Sequence, residues 1–434
     1  MTSYSPQAIP PPSSHHGRDT FRLWIAAFLA GLIAAAATLA FRALIDITEW
    51  LLTRHTGSLV FAADALPAWQ RVLVPTAGGL LAGLVLYVGG RWNAGAPHID
   101  YIDAAREGRV VLNDRTNTVR TLSSLLSVGS GAAIGREGPM VQLSAWLSAW
   151  LARLFPLPDE QRNAILVCGI AAGIGSAYHA PVAGVVFVLE LALGFFARHT
   201  VAPVLIAAVT SSAVIYWLVE PRPLYIMPSV PIAPTGLLVA LVVGVASGLL
   251  GLALLKLIER ARRGFGLIGP VWLRLGIGGV VVGLLSVPVP EVWGNGYSVV
   301  SRVLDGGLVW SWVAVVLAAK LVAMIASTGS GAIGGIFTPT LFVGATSGYL
   351  LGSGLSHWGG VAIGADPTAV AVLGMAAVLA AVTHAPLMAI VMVLEMTNQF
   401  QLVLPVMLAC AVAYAISSQF GVKPLYGNPI EHHG

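Results

Sequence analysis

Arg136 and Glu137 lie side by side in the stretch GSGAAIGREGP, residues 129–139, whose other members are glycine, serine, proline or apolar. A carboxylate at the positive end of a helix can occupy an anion site and leave it when it is protonated or displaced. Pro139 suits the first turn of such a helix, because its missing N–H would have no partner there. Glu137 is therefore our candidate gating residue. The alternative is an Arg136–Glu137 ion pair that only holds the segment together.

A second copy of this stretch, GSGAIGGIFTP, occupies residues 329–339, 200 residues further along. It carries Ile336 and Phe337 at the positions of the two charged residues. A second pair of matching segments begins at His179 (HAPVAGVVFVLE) and at His384 (HAPLMAIVMVLE), with an offset of 205. These matches predict a duplicated chain with one anion site made by two converging helix starts.

The elements around the first copy are short for membrane crossings. Thr121–Gly135 and Gly138–Ala152 each run about fifteen residues between charges, roughly 22 Å as helix against a hydrocarbon core of roughly 30 Å. We therefore expect two half-crossing helices joined at GREGP. Irregular backbone at that depth is tolerated only where it is buried in protein or lines an aqueous cavity. The break thus predicts a cavity.

The composition is that of an integral membrane protein. Of 434 residues, 57% are hydrophobic and 10% are charged, against roughly 45–50% and 25% in soluble domains. We expect an all-α polytopic protein with ten or more membrane helices and the lipid bilayer as its surroundings. The net charge of +4 is not gathered into a nucleic-acid-binding pattern, so we exclude that partner. Cys168 and Cys410 lie in apolar runs without metal-ligand spacing, and no cofactor or metal is expected.

The distribution of basic residues predicts the orientation. Arginines and lysines cluster in Arg91–Arg120 and Lys256–Arg274, whereas Thr53–Gln70 and Pro221–Pro234 carry few charges. The positive-inside rule makes the first pair of segments cytoplasmic and the second pair external. Both termini then lie on the cytoplasmic side.

The chain divides into three parts. Residues 1–21 are rich in proline and serine and predict a disordered cytoplasmic tail. Residues 22–220 form the first transmembrane repeat, and residues 221–434 form the second with a C-terminal helix. We expect no cytoplasmic regulatory domain.

Taken together, GREGP (135–139), GIFTP (335–339), the paired HAP helices and KPLY ending at Tyr426 resemble the CLC family of chloride channels and chloride/proton antiporters, and within it a bacterial branch. The resemblance implies a fold of two inverted repeats with many tilted and half-crossing helices. It further implies a homodimer in the bacterial inner membrane with one anion pathway per subunit, a transport protein rather than an enzyme, and a role as an electrical shunt in acid resistance. Voltage-gated chloride conduction is the expected activity.

The resemblance also implies residue roles. Glu137 matches the external gating glutamate, and Tyr426 matches the tyrosine whose hydroxyl binds the central chloride. The implied chloride-binding positions are Gly95, Ala96, Arg136, Glu137, Gly138, Ile336, Phe337 and Tyr426.

Two positions depart from the family pattern. Ala94 stands where the family has a chloride-binding serine, which removes a hydroxyl donor typically worth about 0.5–1.5 kcal/mol. Leu191 follows Glu190 where antiporters commonly have a second glutamate for proton passage. The second departure favours passive conduction, with a proton-coupled antiporter as the alternative.

Other polar residues carry weaker hypotheses. Tyr426 and the proline of GREGP disfavour a fluoride exporter, which stays an alternative. A membrane serine hydrolase would use Ser130 or Ser330, although the duplication treats both alike. We expect Glu190, Glu395 and Asp100 to be buried carboxylates with hydrogen-bond partners. His179 and His384 are expected to be polar residues that start helices rather than metal ligands.

Overall fold

The structure, a computed structural model, describes residues 14–92, 99–108, 111–193, 198–219, 222–228, 236–359 and 366–425. Within those ranges the only β-type pairing is an isolated bridge between Gly135 and Gly335, and the regular elements are helices. The first nine are α1 (Ser14–Thr53), α2 (Leu59–Ala65), α3 (Ala68–Trp92), α4 (Tyr101–Arg106), α5 (Asp114–Gly129), α6 (Glu137–Ala152), α7 (Asp159–Tyr178), α8 (Pro181–Phe187) and α9 (Arg198–Leu218). The next eight are α10 (Gly236–Gly266), α11 (Val271–Ser286), α12 (Tyr297–Asp305), α13 (Trp310–Ser330), α14 (Phe337–Gly359), α15 (Pro367–Thr383), α16 (Pro386–Thr397) and α17 (Val403–Ser418).

The helices are of two kinds by length. Among the described residues, six are long and apolar enough to cross a membrane, and they belong to α1, α3, α9, α10, α13 and α17. Four further apolar helices of 10–17 residues are shorter: α8 with its π-helical extension, α11, α15 and α16. Of the ten or more membrane helices expected from the sequence, six full-length ones are found among the described residues, and the remainder of that expectation is not tested. Short helices leave backbone ends inside the protein, where binding sites can form.

Two helices form the centre of the molecule. Every residue of α7 from Ala164 to Tyr178 is buried, and so is every residue of α15 from Val370 to Thr383. A helix that is apolar on all sides is stable only when other elements surround it. The helices that bear the candidate site, α6 and α14, pack against α7 and α15 respectively.

The two halves approach each other most closely where glycines face backbone. A Cβ on Gly79 of α3 would lie 2.3 Å from the Leu275 carbonyl oxygen, and one on Gly279 of α11 would lie 2.2 Å from the Pro75 carbonyl oxygen. Small residues of this kind let membrane helices pack backbone to backbone. At these two glycines the α3–α11 contact thus brings backbone against backbone.

A second contact between the halves is reciprocal capping. Glu190 accepts hydrogen bonds from the amides of Leu387 and Met388 at 3.2 and 2.7 Å, at the start of α16. Glu395 accepts from the amides of residues 182 and 183 at 3.1 and 2.7 Å, at the start of α8. Each carboxylate therefore satisfies the first amides of a helix in the other half. As predicted, both glutamates have hydrogen-bonded structural partners.

Candidate functional site

Both glycine-rich copies are breaks between two helices. The first separates α5 from α6 and the second separates α13 from α14. The helix before each break ends near a glycine with a φ of 93°, Gly131 in the first copy and Gly331 in the second, a region that disfavours residues with a Cβ. The first break spans residues 130–136, so it is wider than the GREGP junction predicted from charges, and α5 starts earlier, at Asp114.

The two breaks are hydrogen-bonded to each other. The Gly135 amide donates to the Gly335 carbonyl at 2.6 Å, and the Gly335 amide donates to the Gly135 carbonyl at 2.7 Å. Gly138 lies against this bridge, since a Cβ on it would be 2.8 Å from the Gly335 Cα. The bridge brings the start of α6 beside the start of α14, which is the convergence that the duplication predicts. Amides in a first helical turn have no intrahelical acceptor and favour anions.

Glu137 is the first residue of α6 and is only 7% exposed. Its Oε1 accepts a hydrogen bond from the Asn295 side-chain amide at 2.7 Å. Its Oε2 is buried and has no hydrogen-bond partner among the described residues. One oxygen of the carboxylate, Oε1, is therefore hydrogen-bonded, whereas Oε2 has no hydrogen-bond partner among the described residues.

Arg136 does not hold this carboxylate. The structure gives Glu137 a bond to Asn295 and, within the described ranges, no ion pair with Arg136. The guanidinium instead lines a cavity beside the break. The described residues therefore give no support to a local Arg136–Glu137 ion pair.

Two cavities meet at the break. The larger, which we call the basic cavity, has a volume of about 480 Å³ and reaches Gly138 and Ile336. The smaller, which we call the gate cavity, has a volume of about 190 Å³ and is lined by Arg136 and Asn295. Ile134 lines both. The predicted cavity at the break is thus a pair, and residues on both sides of Glu137 in the chain contribute to the linings.

The basic cavity carries an excess of positive charge. Arg120, Arg262 and Arg274 line it together with a single carboxylate, Asp100. Asp100 also accepts a hydrogen bond from the Ile102 amide at 3.0 Å and so caps α4. A concave surface with one sign of charge concentrates counter-ions, so this cavity attracts anions toward the two helix starts.

Several predicted site residues cannot be placed. Gly95, Ala96, Ala94 and Tyr426 lie outside the described residues. Leu191 is described: it is buried in the π-helical turn Val188–Leu193, and its carbonyl accepts a 2.6 Å hydrogen bond from Arg106.

The two histidines end helices instead of starting them, which corrects our expectation. His179 caps α7 and His384 caps α15, both in the left-handed conformation with φ of 57° and 56°. His179 Nδ1 contacts the Arg222 carbonyl, and His384 Nε2 contacts the Ser417 hydroxyl. Each has its own local partner, so they do not form a joint site.

The serines of the two breaks have structural partners. Ser130 donates to the Ser127 carbonyl at 3.1 Å, and Ser330 donates to the Ser327 carbonyl at 2.9 Å. A serine nucleophile needs a base within hydrogen-bond reach, and among the described residues neither hydroxyl bonds to a histidine. The hydrolase hypothesis therefore receives no support.

Sequence analysis missed three residues at the site. Asn295 bonds the gate carboxylate, and the Lys320 ammonium is fully buried against the segment that carries Asn295. Tyr225 is fully buried, has a hydroxyl without a partner in the described chain, and lies within electrostatic range of Glu137. Lys320 had a usable signal, since it is the only charge in Trp310–Ser330 and intramembrane charges mark functional sites. Asn295 and Tyr225 lie in segments that are distant from Glu137 in sequence.

The fold and the site together define a class: a polytopic membrane protein whose broken helices meet at a buried site, as in transport proteins. The chain matches the family described as voltage gated chloride channel over residues 78–418. It therefore belongs to the voltage gated chloride channel family, the CLC family.

Comparison with individual proteins agrees with this assignment. The chain is 46% identical over 413 residues to the ClcB-like chloride channel protein of Ralstonia nicotianae, covering 93% of this chain and 96% of that protein. It is 39% identical over 431 residues to the voltage-gated ClC-type chloride channel ClcB of Salmonella typhi, covering 95% and 100%. ClcB is the bacterial branch that the motifs indicated.

Solved structures share the fold. A slow cyanobacterial Cl⁻/H⁺ antiporter superposes with a TM-score of 0.83 at 21% identity, covering 93% of this chain and 96% of that one. A CLC-type fluoride/proton antiporter superposes with a TM-score of 0.77 at 24% identity, covering 94% and 98%. At these identities the likeness concerns the fold alone.

Proposed function

We propose that this protein transports chloride across the bacterial inner membrane through a gated pathway, with Glu137 as the gate. One observation carries the proposal: the buried Glu137 carboxylate lies at the start of α6, which the Gly135–Gly335 bridge brings beside the start of α14. The ClcB names of the relatives support chloride as the cargo.

Chloride would be bound mainly by amides. At the meeting point, the start of α6 supplies the Gly138 region and the start of α14 supplies Ile336 and Phe337. When ionised, Glu137 competes with chloride for the positive ends of these helices. When protonated, it no longer competes, and the pathway opens. Gly95, Ala96 and Tyr426 remain the proposed contributors from outside the described residues.

The cavity linings support the orientation expected from the positive-inside rule. The basic cavity includes Arg262 and Arg274 from the segment expected in the cytoplasm, and the gate cavity includes residues 57–60 from the segment expected outside. We propose that both termini are cytoplasmic. We also propose a homodimer, which the family resemblance implies, with one pathway per subunit because both cavities are formed within one chain.

The transport assay uses purified protein in chloride-loaded liposomes, with a chloride electrode and a pH electrode in the same vessel. Valinomycin supplies a potassium leak so that charge movement is not limiting. We expect chloride efflux that exceeds that of protein-free liposomes. Absence of such efflux would remove the proposal. Parallel loading with fluoride distinguishes a chloride pathway from a fluoride exporter.

Proton coupling is the second candidate mechanism, because a Cl⁻/H⁺ antiporter has the same fold, so the fold is compatible with coupled exchange. Leu191 opposes it, because a buried leucine cannot carry a proton. Reversal potentials in a pH gradient separate the two. Values fixed at the chloride equilibrium potential mean a channel, and values that shift with the pH gradient mean coupled exchange.

A further inference from the structure

Lys320 of α13 is fully buried and bonds only to backbone carbonyls among the described residues. Its Nζ lies 2.7 Å from the Val292 and Gly294 carbonyl oxygens, 3.1 Å from that of Trp293 and 3.4 Å from that of Glu291. An ammonium without water must be satisfied by polar partners or it strongly destabilises the fold. The Lys320 ammonium thus contacts the carbonyl oxygens of four consecutive residues, 291–294, and we call this set of contacts the carbonyl clamp.

The clamped segment has little regular structure of its own. It begins within a short 3-10 turn, Pro290–Val292, and ends before α12. Gly294 and Gly296 have positive φ of 69° and 89°, so their carbonyls and amides do not form a continuous ladder. The Gly294 amide donates to the Gly131 carbonyl at 3.4 Å. Lys320 on one side and the first break on the other therefore fix this segment.

Asn295, between those two glycines, presents its amide in one orientation. Its Oδ1 accepts a hydrogen bond from the Tyr297 backbone N–H at 3.1 Å. A backbone N–H can only donate, so this contact assigns the oxygen and leaves the Nδ2 group for the gate. Nδ2 donates to Glu137 Oε1 at 2.7 Å. The contact with Tyr297 thus orients the Asn295 donor independently of Glu137.

We propose that Asn295 is the docking donor of the gate and that Lys320, through the carbonyl clamp, is the positioning residue that holds it in place. This inference rests on the proposed function of Glu137. The Asn295 amide binds an ionised carboxylate more strongly than a neutral one, so it favours the closed gate. The clamp and Asn295 therefore help set the external pH at which chloride flux rises.

Other charged and titratable groups also face the gate. Arg136 is adjacent in sequence, and Arg42 of α1 and Tyr225 of the segment 222–228 lie within electrostatic range of Glu137. Glu49 and Asp46 of α1 are in turn within range of Arg136 and Arg42 respectively. The variants below leave these groups unchanged, so differences between pH profiles report on Asn295 and Lys320.

The first experiment measures chloride efflux against external pH for Asn295→Ala, Asn295→Asp and a control. Asn295→Ala removes a charge-assisted hydrogen bond to the ionised gate. The midpoint, which is the external pH at which chloride efflux is half-maximal, therefore rises by about one unit. Asn295→Asp moves it at least as far, because a second carboxylate repels the gate. Asn163→Ala is the matched control, since that side chain donates to the Ala105 carbonyl away from the gate, and its midpoint stays at the wild-type value. Wild-type midpoints in both Asn295 variants would overturn the docking role.

A Glu137→Gln background distinguishes a failure of the proposed gate, Glu137, from a failure of the docking role of Asn295. If Glu137→Gln abolishes the pH dependence, Asn295→Ala added to it changes nothing further. If Glu137→Gln keeps the wild-type pH dependence, the proposed gate fails. If Glu137→Gln abolishes it but Asn295→Ala leaves the midpoint unshifted, only the present inference fails.

The second experiment tests the clamp with Lys320→Met, Lys320→Gln and Lys320→Arg. The two neutral variants shift the midpoint in the same direction as Asn295→Ala, and the shift is not additive with it. Lys320→Arg keeps the cation and restores part of the wild-type profile. Lys256→Met, which removes a half-buried lysine of α10 stacked on Phe420, leaves the midpoint unchanged.

Either of the two neutral variants, Lys320→Met or Lys320→Gln, can contradict the positioning role of Lys320. A wild-type midpoint in whichever of Lys320→Met and Lys320→Gln is recovered folded contradicts the positioning role. Folding is checked by retention of chloride flux in the Glu137→Gln background. A purely structural lysine would lower yield and total flux but would leave the pH midpoint where it is.

Discussion

Glu137 combines three properties that rarely meet in one side chain. It begins α6, it is 93% removed from solvent, and only one of its oxygens has a hydrogen-bond partner among the described residues. Burial of a carboxylate without full satisfaction is unfavourable, so the closed position is held by the helix start and by Asn295. We propose that such a carboxylate leaves the helix start when it is protonated or when the chloride concentration rises.

Shortening the gate tests this balance at the residue scale. Glu137→Asp withdraws the carboxylate by about one C–C bond, roughly 1.5 Å, which breaks the 2.7 Å contact with Asn295. Since a hydrogen bond to a charged group contributes about 1.5–3 kcal/mol, we expect the midpoint of pH-dependent chloride flux to rise by about one unit. A profile identical to wild type would show that the Asn295 contact does not matter. Stopped-flow efflux at several pH values measures it.

At the scale of elements, the decisive feature is the pairing of two helix starts. The Gly135–Gly335 bridge joins α6 to α14 through two backbone hydrogen bonds of 2.6 and 2.7 Å. No side chain takes part, and Gly138 has no room for one, because a Cβ there would be 2.8 Å from the Gly335 Cα. Glycine is therefore required here by close approach between the repeats, and not by helix propensity.

Gly138→Ala should separate the two starts. Overpacking of this kind costs about 1–3 kcal/mol, and we expect a lower thermal unfolding temperature with at least a tenfold loss of chloride flux. Gly354→Ala in α14 is the control, because a Cβ at that position meets nothing within 4 Å and gains about 1 kcal/mol of helix propensity. Equal flux in the two variants would contradict a pathway at the bridge. Thermal unfolding and liposome efflux are measured on the same preparations.

At the scale of the whole molecule, two unlike cavities reach the break that carries Glu137. The basic cavity of about 480 Å³ has three arginines and one aspartate, and the gate cavity of about 190 Å³ includes Arg136 and Asn295. Positive charge on a concave surface raises the local anion concentration and is screened by salt. In the proposed pathway, anions therefore collect in the basic cavity and then pass a single carboxylate, Glu137.

Charge reversal in the basic cavity tests this arrangement. Arg262 lines the cavity, whereas its neighbour Arg263 is exposed and paired with Glu259. We expect Arg262→Glu to lower chloride flux severalfold at about 10 mM ionic strength and much less at about 1 M, where the Debye length falls to about 3 Å. Arg263→Glu should change flux little at either concentration. Equal effects of the two variants would mean that the basic cavity is not on the pathway.

Sequence alone predicted the breaks, the duplication and the all-helical membrane fold, because glycine-rich interruptions of apolar runs are local signals. It also predicted hydrogen-bonded partners for Glu190 and Glu395, which are half-buried in the structure. It could not predict Asn295 or Lys320, because the contacts that define them are long-range: Asn295 meets a glutamate 158 residues away. The histidines were misread, since a left-handed helix cap looks like a helix start when only the following proline is visible.

The most direct test of the account is the pH dependence of chloride efflux from liposomes containing wild-type protein or Glu137→Gln. Glutamine keeps the size of the side chain but cannot ionise, so it does not compete with chloride as a tethered anion. We predict that wild-type efflux rises as the external pH falls, whereas Glu137→Gln conducts chloride at a rate that does not change with pH. An unaltered pH dependence in Glu137→Gln would contradict the central claim that this carboxylate gates the pathway.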